Sequence, residues 1–169
     1  MDGELWEWVK SILIAVVLAV LIRLFVLEVF LVDGSSMLPT LSDRERLIVN
    51  KFQYHFQDPG PGDVLIFSFS RERDFIKRVI GVPGDDIYID DGLVYVNGES
   101  LPEEYIQDAT RGQYGPVTVP EDHYFVLGDN RNNSMDSRDS SVGFVSSADI
   151  KGKAFLVFWP VDSVRLIHH

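Results

Sequence analysis

The sequence predicts a mainly β protein, namely an antiparallel β-sheet domain with a small β insertion, preceded by one N-terminal transmembrane helix. Two observations carry this prediction. Short runs rich in Val, Ile, Phe and Tyr recur from residue 24 onwards, separated by turns that contain Gly and Pro, which is typical of all-β domains. Before them lies one continuous apolar run, residues 12–22, whose length favours a helix over a strand.

The apolar run is predicted to belong to a membrane anchor over residues 6–24. Its unbroken part, residues 12–22, is shorter than the roughly 20 residues that a helix needs to cross a bilayer core. The prediction therefore includes the flanks, where two tryptophans suit the interface and Lys10 and Arg23 can place their charges at its edges. A cleaved signal peptide fits less well, because the chain begins with acidic residues. A buried core helix is the stronger alternative.

Nine strands are predicted after the anchor. They cover residues 24–32, 46–51, 64–69, 75–80, 87–89, 93–96, 117–119, 124–127 and 154–159. Asp90-Asp91-Gly92, between the fifth and sixth strands, predicts a hairpin, and the polar segment 102–115 predicts a surface insertion. These boundaries divide the chain into a tip and anchor (1–24), a β core (25–85 and 122–169) and a small β insertion (86–121).

The overall composition limits the possible functions. The 169 residues are 46% apolar, which is enough for a buried core. A formal net charge of −11 argues against a nucleic-acid partner, because phosphate backbones require clustered Lys and Arg. The absence of Cys excludes disulfides, thiolate zinc sites and cysteine nucleophiles. The four histidines lack metal-ligand spacing, so no metal and no cofactor are predicted, although a Ser-His-Asp triad through His55 or His123 remains open.

Two residues indicate a hydrolase that does not need histidine. Ser36 lies in the turn-rich stretch 33–40, where a glycine-containing turn can present a hydroxyl and backbone N–H groups. Taken alone, this turn is more simply an ordinary one, whose serine bonds its own backbone. Lys77 lies among apolar residues, and burial makes an amine lose its proton more easily. A neutral lysine can then remove the proton of a serine hydroxyl.

The orientation of Lys77 remains open from the pattern. Lys77 shares one face of the predicted strand 75–80 with apolar residues, and Arg78 shares the other face with apolar residues too. The alternation therefore does not tell which of the two cations is buried. Only Lys77 can serve as a base, because arginine keeps its proton in proteins.

The polar loop 128–138 is predicted to be a hydrogen-bonding scaffold next to a site, with a solvated loop or a calcium loop as alternatives. Its alternating oxygen-bearing side chains are those of Asn130, Asn132, Ser134 and Asp136. The calcium alternative is weak, because the loop lacks the glycine and the final glutamate of a calcium-binding EF-hand.

Four segments, taken in order, resemble the motifs of bacterial type I signal peptidases of the short, single-span form, which are membrane-bound Ser-Lys endopeptidases. The segments are VDGSSMLPTL (32–41), GDVLIF (62–67), KRVIGVPGD (77–85) and GDNRNNSMDSR (128–138). Each motif alone is modest support, whereas their order and spacing make the set specific. Together with the anchor, the resemblance covers nearly the whole chain.

The resemblance implies a serine endopeptidase that removes N-terminal signal peptides from exported preproteins. Ser36 matches the catalytic nucleophile, and its backbone N–H matches an oxyanion donor. Lys77 matches the general base, and Ser134 matches a serine that hydrogen-bonds and orients this lysine. Asp136 and Arg138 match a structural ion pair that supports the site.

The resemblance also implies an apolar surface that binds small residues at the first and third positions before the cut. The matching positions are Phe30, Val32, Met37, Leu41, Phe75 and Ile76. Gly34 stands where some relatives have a serine as second oxyanion donor, so this donor remains open. The implied partners are signal peptides and membrane lipid. The implied location is the cell membrane, with a single pass, a cytoplasmic tip and the catalytic domain on the extracytoplasmic side.

Two other functions remain open from the sequence. Self-cleaving Ser-Lys proteases share the dyad but usually carry a DNA-binding domain, for which this acidic chain lacks both the length and the basic composition. An inactive, membrane-anchored domain that binds preproteins is the other alternative. The presence of Ser36, Lys77 and Ser134 argues against an inactive domain.

Overall fold

A computed structural model describes residues 2–168, with the side chains of residues 2, 5 and 21–25 left out. Met1 and His169 lie outside the described residues. The predicted placement of the Arg23 charge at a membrane edge also lies outside them, because it concerns one of the side chains left out.

Within the described range, the chain forms one α-helix, twelve β-strands and three short 3-10 helices. Helix α1 spans Asp2–Phe25. Strands β1 to β12 are, in chain order, Leu27–Leu31, Arg46–Asn50, Val64–Ser68, Asp74–Gly81, Asp86–Asp90, Leu93–Val96, Glu99–Ser100, Tyr114–Thr118, His123–Leu127, Val145–Ser146, Ile150–Trp159 and Arg165–Leu166. The 3-10 helices are Gln53–His55, Ser147–Asp149 and Val161–Ser163.

The strands form two antiparallel sheets. The larger sheet has the order β1-β2-β11-β3-β4-β9-β10, and β12 pairs with β11. The smaller sheet has the order β7-β6-β5-β8. The prediction of a mainly β, antiparallel fold is therefore confirmed.

All nine predicted strands are present, eight of them with shifted ends and 93–96 with the ends as predicted. Helix α1 continues to Phe25, so β1 begins three residues later than predicted, because no Gly or Pro ends the helix earlier. The predicted hairpin joins β5 to β6 through Asp91 and Gly92, which have φ values of 46° and 81°. A two-residue turn of this type requires positive φ at both positions, which Asp-Gly tolerates. The two-residue strands β7, β10 and β12 were not predicted, since they are too short to show a pattern.

Helix α1 leaves apolar side chains exposed. The consecutive residues Ile12, Leu13 and Ile14 are each exposed, as are Trp6 and Trp8 nearer the N-terminus. Among the residues that the structure describes, no helix combines the length and the apolar character needed to cross a membrane.

Strand β4 is packed by apolar clusters on both of its faces. On one face, Ile76 contacts the cluster around Leu47 and Val49, and Ile80 belongs to a second cluster that joins the two sheets. On the other face, Phe75 and Val79 belong to a third cluster with side chains of β3 and β9. Any polar side chain in the middle of β4 is therefore buried, whichever face it occupies.

Candidate active site

The structure brings Lys77 and Ser36 together across 41 residues of sequence. The Nζ atom of Lys77 lies 2.9 Å from Ser36 Oγ and 2.9 Å from the carbonyl oxygen of Ile76. Lys77 projects from the middle of β4 and is only 3% exposed. Ser36 lies in the turn after β1, residues 33–40, which we call the serine turn. The buried side chains of Val32 and Met37 hold this turn against the core.

Burial lowers the pKa of Lys77 to about 8, because an apolar environment disfavours the ammonium form. The carboxylates of Asp136 and Asp129 act in the opposite direction and raise this pKa. Each of these carboxylates is itself paired with an arginine, Asp136 with Arg138 and Asp129 with Arg78. About a tenth of Lys77 is therefore neutral at pH 7, and the neutral amine can accept the proton of Ser36.

Arg78, the next residue in β4, is also buried and has no exposed surface. Asp129 binds its guanidinium through both carboxylate oxygens, at 2.9 Å from Nε and 2.7 Å from a terminal nitrogen. The carbonyl oxygens of Gly62 and His168 accept two further hydrogen bonds, at 2.8 and 3.1 Å. This bidentate pairing makes a buried arginine tolerable. Both cations of β4 are therefore buried, and only Arg78 has a carboxylate bound to it directly.

The loop 128–138 packs directly on the turn that carries the serine. The backbone N–H of Asn130 donates to the carbonyl of Ser36 at 3.0 Å, and its side-chain amide donates to the carbonyl of Ser35 at 3.0 Å. The amide of Asn133 donates to Ser35 Oγ at 2.9 Å. The sequence did not indicate separate roles for Asn130 and Asn133. The only available signal was two amides in a polar loop that follows a buried strand.

Asp136 and Arg138 form the ion pair that the resemblance implies. The carboxylate accepts two hydrogen bonds from the guanidinium, both at 2.8 Å. Asp136 also accepts a hydrogen bond from the backbone N–H of Gly128 at 3.0 Å, and Arg138 donates to the carbonyl of Arg131 at 2.6 Å. The pair thus connects the beginning, the middle and the end of the loop.

The expected hydrogen bond between Ser134 and Lys77 is not formed. Within the described residues, Ser134 Oγ is buried without a hydrogen-bond partner. The amine of Lys77 instead bonds to Ser36 and to the carbonyl of its own neighbour in β4, Ile76. Ser134 lies close to Gly128, at the place where the loop meets the serine turn.

Because Gly128 has no side chain, the loop and the serine turn can approach each other closely at this position. A Cβ atom at this position would lie 2.5 Å from the carbonyl oxygen of Ser36 and would clash with Ser134 Oγ. The Ser36 carbonyl is backbone, so an added methyl group would force the backbone at Ser36 or at Gly128 to shift.

Gly128→Ala is therefore expected to slow the acylation of Ser36 by a serine-reactive inhibitor by about 10²-fold, because displacements near 1 Å cost this much. Gly60→Ala is the matched control, since its added Cβ would meet no atom within 4 Å. Acylation at the unsubstituted rate in Gly128→Ala would contradict the close approach.

A cleft of about 440 Å³ opens beside Ser36 and Lys77. Five of the six predicted binding residues line it, namely Phe30, Val32, Met37, Phe75 and Ile76. The prediction for Leu41 is wrong: its side chain has no exposed surface and packs in the core. The physical reason is that the turn after Met37 closes with a hydrogen bond from the Leu41 N–H to the Met37 carbonyl, at 2.9 Å.

Two larger cavities, each of about 670 Å³, lie elsewhere and include neither Ser36 nor Lys77. A choice by cavity size alone would therefore miss the only contact between a serine and a lysine that the structure describes. We assign the site by this contact. The backbone N–H of Ser36 also bonds to no acceptor within the described residues, which leaves it able to bind a substrate oxygen.

Comparison with known proteins finds related sequences over most of the chain. A sequence model of the family described as "Signal peptidase, peptidase S26" matches residues 5–159. Signal peptidase I P of Bacillus subtilis subsp. natto is 42% identical over 170 residues, which cover 94% of this chain and 91% of that protein. Probable signal peptidase I-2 of Synechocystis sp. (strain ATCC 27184 / PCC 6803 / Kazusa) is 46% identical over 165 residues, which cover 94% and 75%.

A crystal structure of a signal peptidase I from Enterococcus faecalis V583 is 35% identical, covering 57% of this chain and 97% of that chain with a TM-score of 0.47. The family match extends over most of the chain, and the relatives exceed 40% identity over nearly its full length. The chain therefore belongs to the signal peptidase family, peptidase S26.

Proposed function

We propose that this chain is a membrane-bound serine endopeptidase that removes N-terminal signal peptides from exported preproteins with a Ser36–Lys77 dyad. Membership of the signal peptidase family supports the reaction and the class of substrate. The 2.9 Å contact between Ser36 Oγ and Lys77 Nζ is the observation that carries the assignment of the dyad.

In the proposed mechanism, neutral Lys77 takes the proton of the Ser36 hydroxyl while Oγ attacks the scissile carbonyl carbon. Backbone donors, among them the N–H of Ser36, stabilise the negative charge on the carbonyl oxygen. Protonated Lys77 then gives its proton to the leaving amine as the peptide bond breaks. Water, deprotonated by the same lysine, hydrolyses the acyl-enzyme and restores Ser36.

The second oxyanion donor does not come from the backbone of Gly34. The N–H of Gly34 already donates to the carboxylate of Asp43 at 2.8 Å. Losing one oxyanion donor costs about 2.7–4 kcal/mol in well-studied acyl transfer. Another donor, such as a water molecule, is therefore expected at this position.

The cleft beside the dyad supports the proposed preference for small residues before the cut. Its apolar lining is contributed by β1, by the serine turn, by β4 and by Met135. A shallow apolar surface excludes large side chains by steric clash and polar ones by the cost of desolvation. The preprotein is expected to lie extended along this surface and to pair through its main chain.

Activity is expected to rise with pH through about 8, the pKa of Lys77. Burial lowers this pKa, and the neutral form is the active one, so the active fraction grows from about a tenth at pH 7 to about nine-tenths at pH 9. Below pH 7, kcat/KM should fall about tenfold for each pH unit. Cleavage of a peptide with alanine at both small positions, measured from pH 5.5 to 10, tests this. A constant rate down to pH 6 would count against a lysine base.

We further propose that residues 6–24 anchor the chain in the membrane and that the catalytic domain lies on the extracytoplasmic side. Helix α1 has 24 residues and is about 36 Å long at 1.5 Å per residue, compared with a bilayer core of about 30 Å. Its exposed apolar side chains, such as Ile12 and Leu13, pack against no other part of the described chain that would bury them. A lipid environment would remove them from water.

The full chain is accordingly expected to float with phospholipid vesicles in a density gradient. The double variant Ile14→Asp/Leu18→Asp should stay at the bottom, because each aspartate in a membrane-spanning helix costs about 2.5–3.5 kcal/mol. Leu93→Asp is the matched control, since Leu93 is an exposed apolar residue of β6 in the smaller sheet. Equal flotation of the double variant would argue against the anchor.

A further inference from the structure

The segment between β7 and β8 is predicted from the sequence to be a surface insertion, yet several of its side chains point into the protein. Glu103 has a side chain only 5% exposed, and Thr110 is buried. We propose that Glu103 and Tyr105 are positioning residues for the dyad. They hold Arg78 and Arg131 and thereby keep together the two halves of the site, which are strand β4 with Lys77 and the loop 128–138 that supports Ser36. The inference rests on the proposed function, because it concerns the same dyad.

Tyr105 contacts one cation from each half of the site. Its ring centroid lies 4.1 Å from Cζ of Arg78 and 5.8 Å from Cζ of Arg131, which is within the range of cation–π attraction. Arg78 directly follows Lys77 in β4. Arg131 directly follows Asn130, whose backbone N–H bonds to the Ser36 carbonyl. One ring therefore connects the strand of the base with the loop that supports the nucleophile.

Glu103 supplies the negative charge that Arg131 needs. The two side chains form an ion pair at 2.5 Å, and the arginine side chain has no exposed surface. The Tyr105 hydroxyl donates to the same carboxylate at 3.2 Å, so the tyrosine and the glutamate act on Arg131 together. Arg131 in turn donates to the carbonyl of Gly128 at 3.1 Å and to the hydroxyl of Thr110 at 3.3 Å.

The charges of this network are matched in number. Three arginines, Arg78, Arg131 and Arg138, each bind one carboxylate, in that order those of Asp129, Glu103 and Asp136. The carboxylates of Asp129 and Asp136 raise the pKa of Lys77, and each of them is paired with an arginine. Removing the charge of Glu103 leaves one positive charge in excess. An excess positive charge disfavours the ammonium form of Lys77.

The segment does not line the substrate cleft, which is formed by β1, the serine turn, β4 with the two residues before it, and Met135. A positioning role therefore predicts an effect on kcat with little effect on KM. It also predicts a change in the dependence of kcat on pH. The acidic limb, which is the pH range in which kcat falls as pH decreases, shifts to lower pH when Glu103 loses its charge. A merely structural role predicts a lower melting temperature and neither of these two changes.

Glu103→Gln is the first test, with Glu104→Gln as the matched control because Glu104 is its exposed neighbour. Full chains in detergent are compared for kcat, KM and the acidic limb, at a temperature well below the unfolding midpoint of each variant. Glu103→Gln is expected to lower kcat by about tenfold or more, at unchanged KM, and to move the limb to lower pH. Glu104→Gln should match the unsubstituted enzyme.

Tyr105→Leu and Tyr105→Phe provide a second test if Glu103→Gln does not fold. Leucine removes the ring from both guanidinium groups, so kcat should fall at unchanged KM. Phenylalanine keeps the ring and should restore most of kcat. Unchanged kcat in both Glu103→Gln and Tyr105→Leu, or unchanged kcat in one when the other does not fold, would overturn the inference. Failure of the proposed function would look different, because Ser36→Ala would then remain active.

Discussion

Ser36→Ala is expected to abolish the cleavage of a preprotein while leaving the fold intact. The substitution removes the oxygen that contacts Lys77 and that we propose forms the acyl-enzyme. Loss of the nucleophile in a well-studied serine protease lowers kcat by about 10⁶-fold, and a loss of at least about 10⁴-fold is expected here. The measurement is processing of a full-length preprotein in detergent or vesicles, with circular dichroism as the check on folding.

Ser35→Ala is the matched control for this experiment. Ser35 is the neighbouring hydroxyl in the same turn, and its Oγ accepts a hydrogen bond from Asn133 rather than contacting Lys77. The Ser35→Ala variant should keep most of the activity. Mass spectrometry after treatment with a serine-acylating inhibitor should locate the label on Ser36. Full activity of Ser36→Ala would refute the mechanism, and an unlabelled active-site serine would favour an inactive preprotein-binding domain.

Lys77→Arg is expected to be as inactive as Lys77→Met, even though it keeps a positive charge. Arginine is not deprotonated in proteins, so its guanidinium cannot accept the proton of Ser36. Loss of a general base lowers the reaction rate by about 10²–10⁴-fold. We therefore expect kcat to fall by at least about 10²-fold in both variants. The measurement is kcat at pH 9, where most of the original Lys77 is neutral.

The stability of Lys77→Met separates lost chemistry from lost folding. The pKa of Lys77 falls from 10.5 to about 8 on burial, so the charged lysine destabilises the folded state at all pH values below 8. This penalty decreases as pH rises from 8 to 10.5 and then disappears. Lys77→Met should therefore resist urea better than the original chain at pH 7, by up to about 3 kcal/mol. An inactive variant that is also less stable at pH 7 would contradict a buried lysine whose pKa is lowered by burial.

Local signals predicted the fold well where the chain makes its own short contacts. Asp91 and Gly92 specify their hairpin because the two-residue turn needs backbone angles that these residues adopt at low cost. The strand β8 was predicted only in part, and the two-residue strands not at all. A two-residue strand is too short to show an alternation pattern, even where it pairs with the strand just before it, as β7 does with β6.

The candidate site was predicted mainly through the resemblance, and its supporting contacts were predicted least. Ser36 and Lys77 lie together as expected, whereas Leu41 lies in the core and Ser134 does not bond to the lysine. The contact of Tyr105 with Arg78 and Arg131 had no signal in the sequence. Such contacts join segments whose relative positions are set by the packing of two sheets.

The sequence by itself determined that the chain forms antiparallel strands, that Lys77 and Arg78 occupy opposite faces of one of them, and that only Lys77 can act as a base. The tertiary structure decided that both cations are buried, because apolar clusters cover both faces of β4. The tertiary structure also decided which partners each of the two cations has. Asp129 binds Arg78 directly, and Lys77 is held against a serine hydroxyl and a carbonyl instead. A buried amine without a bound carboxylate gives up its proton more easily, and the neutral form is what the proposed chemistry requires.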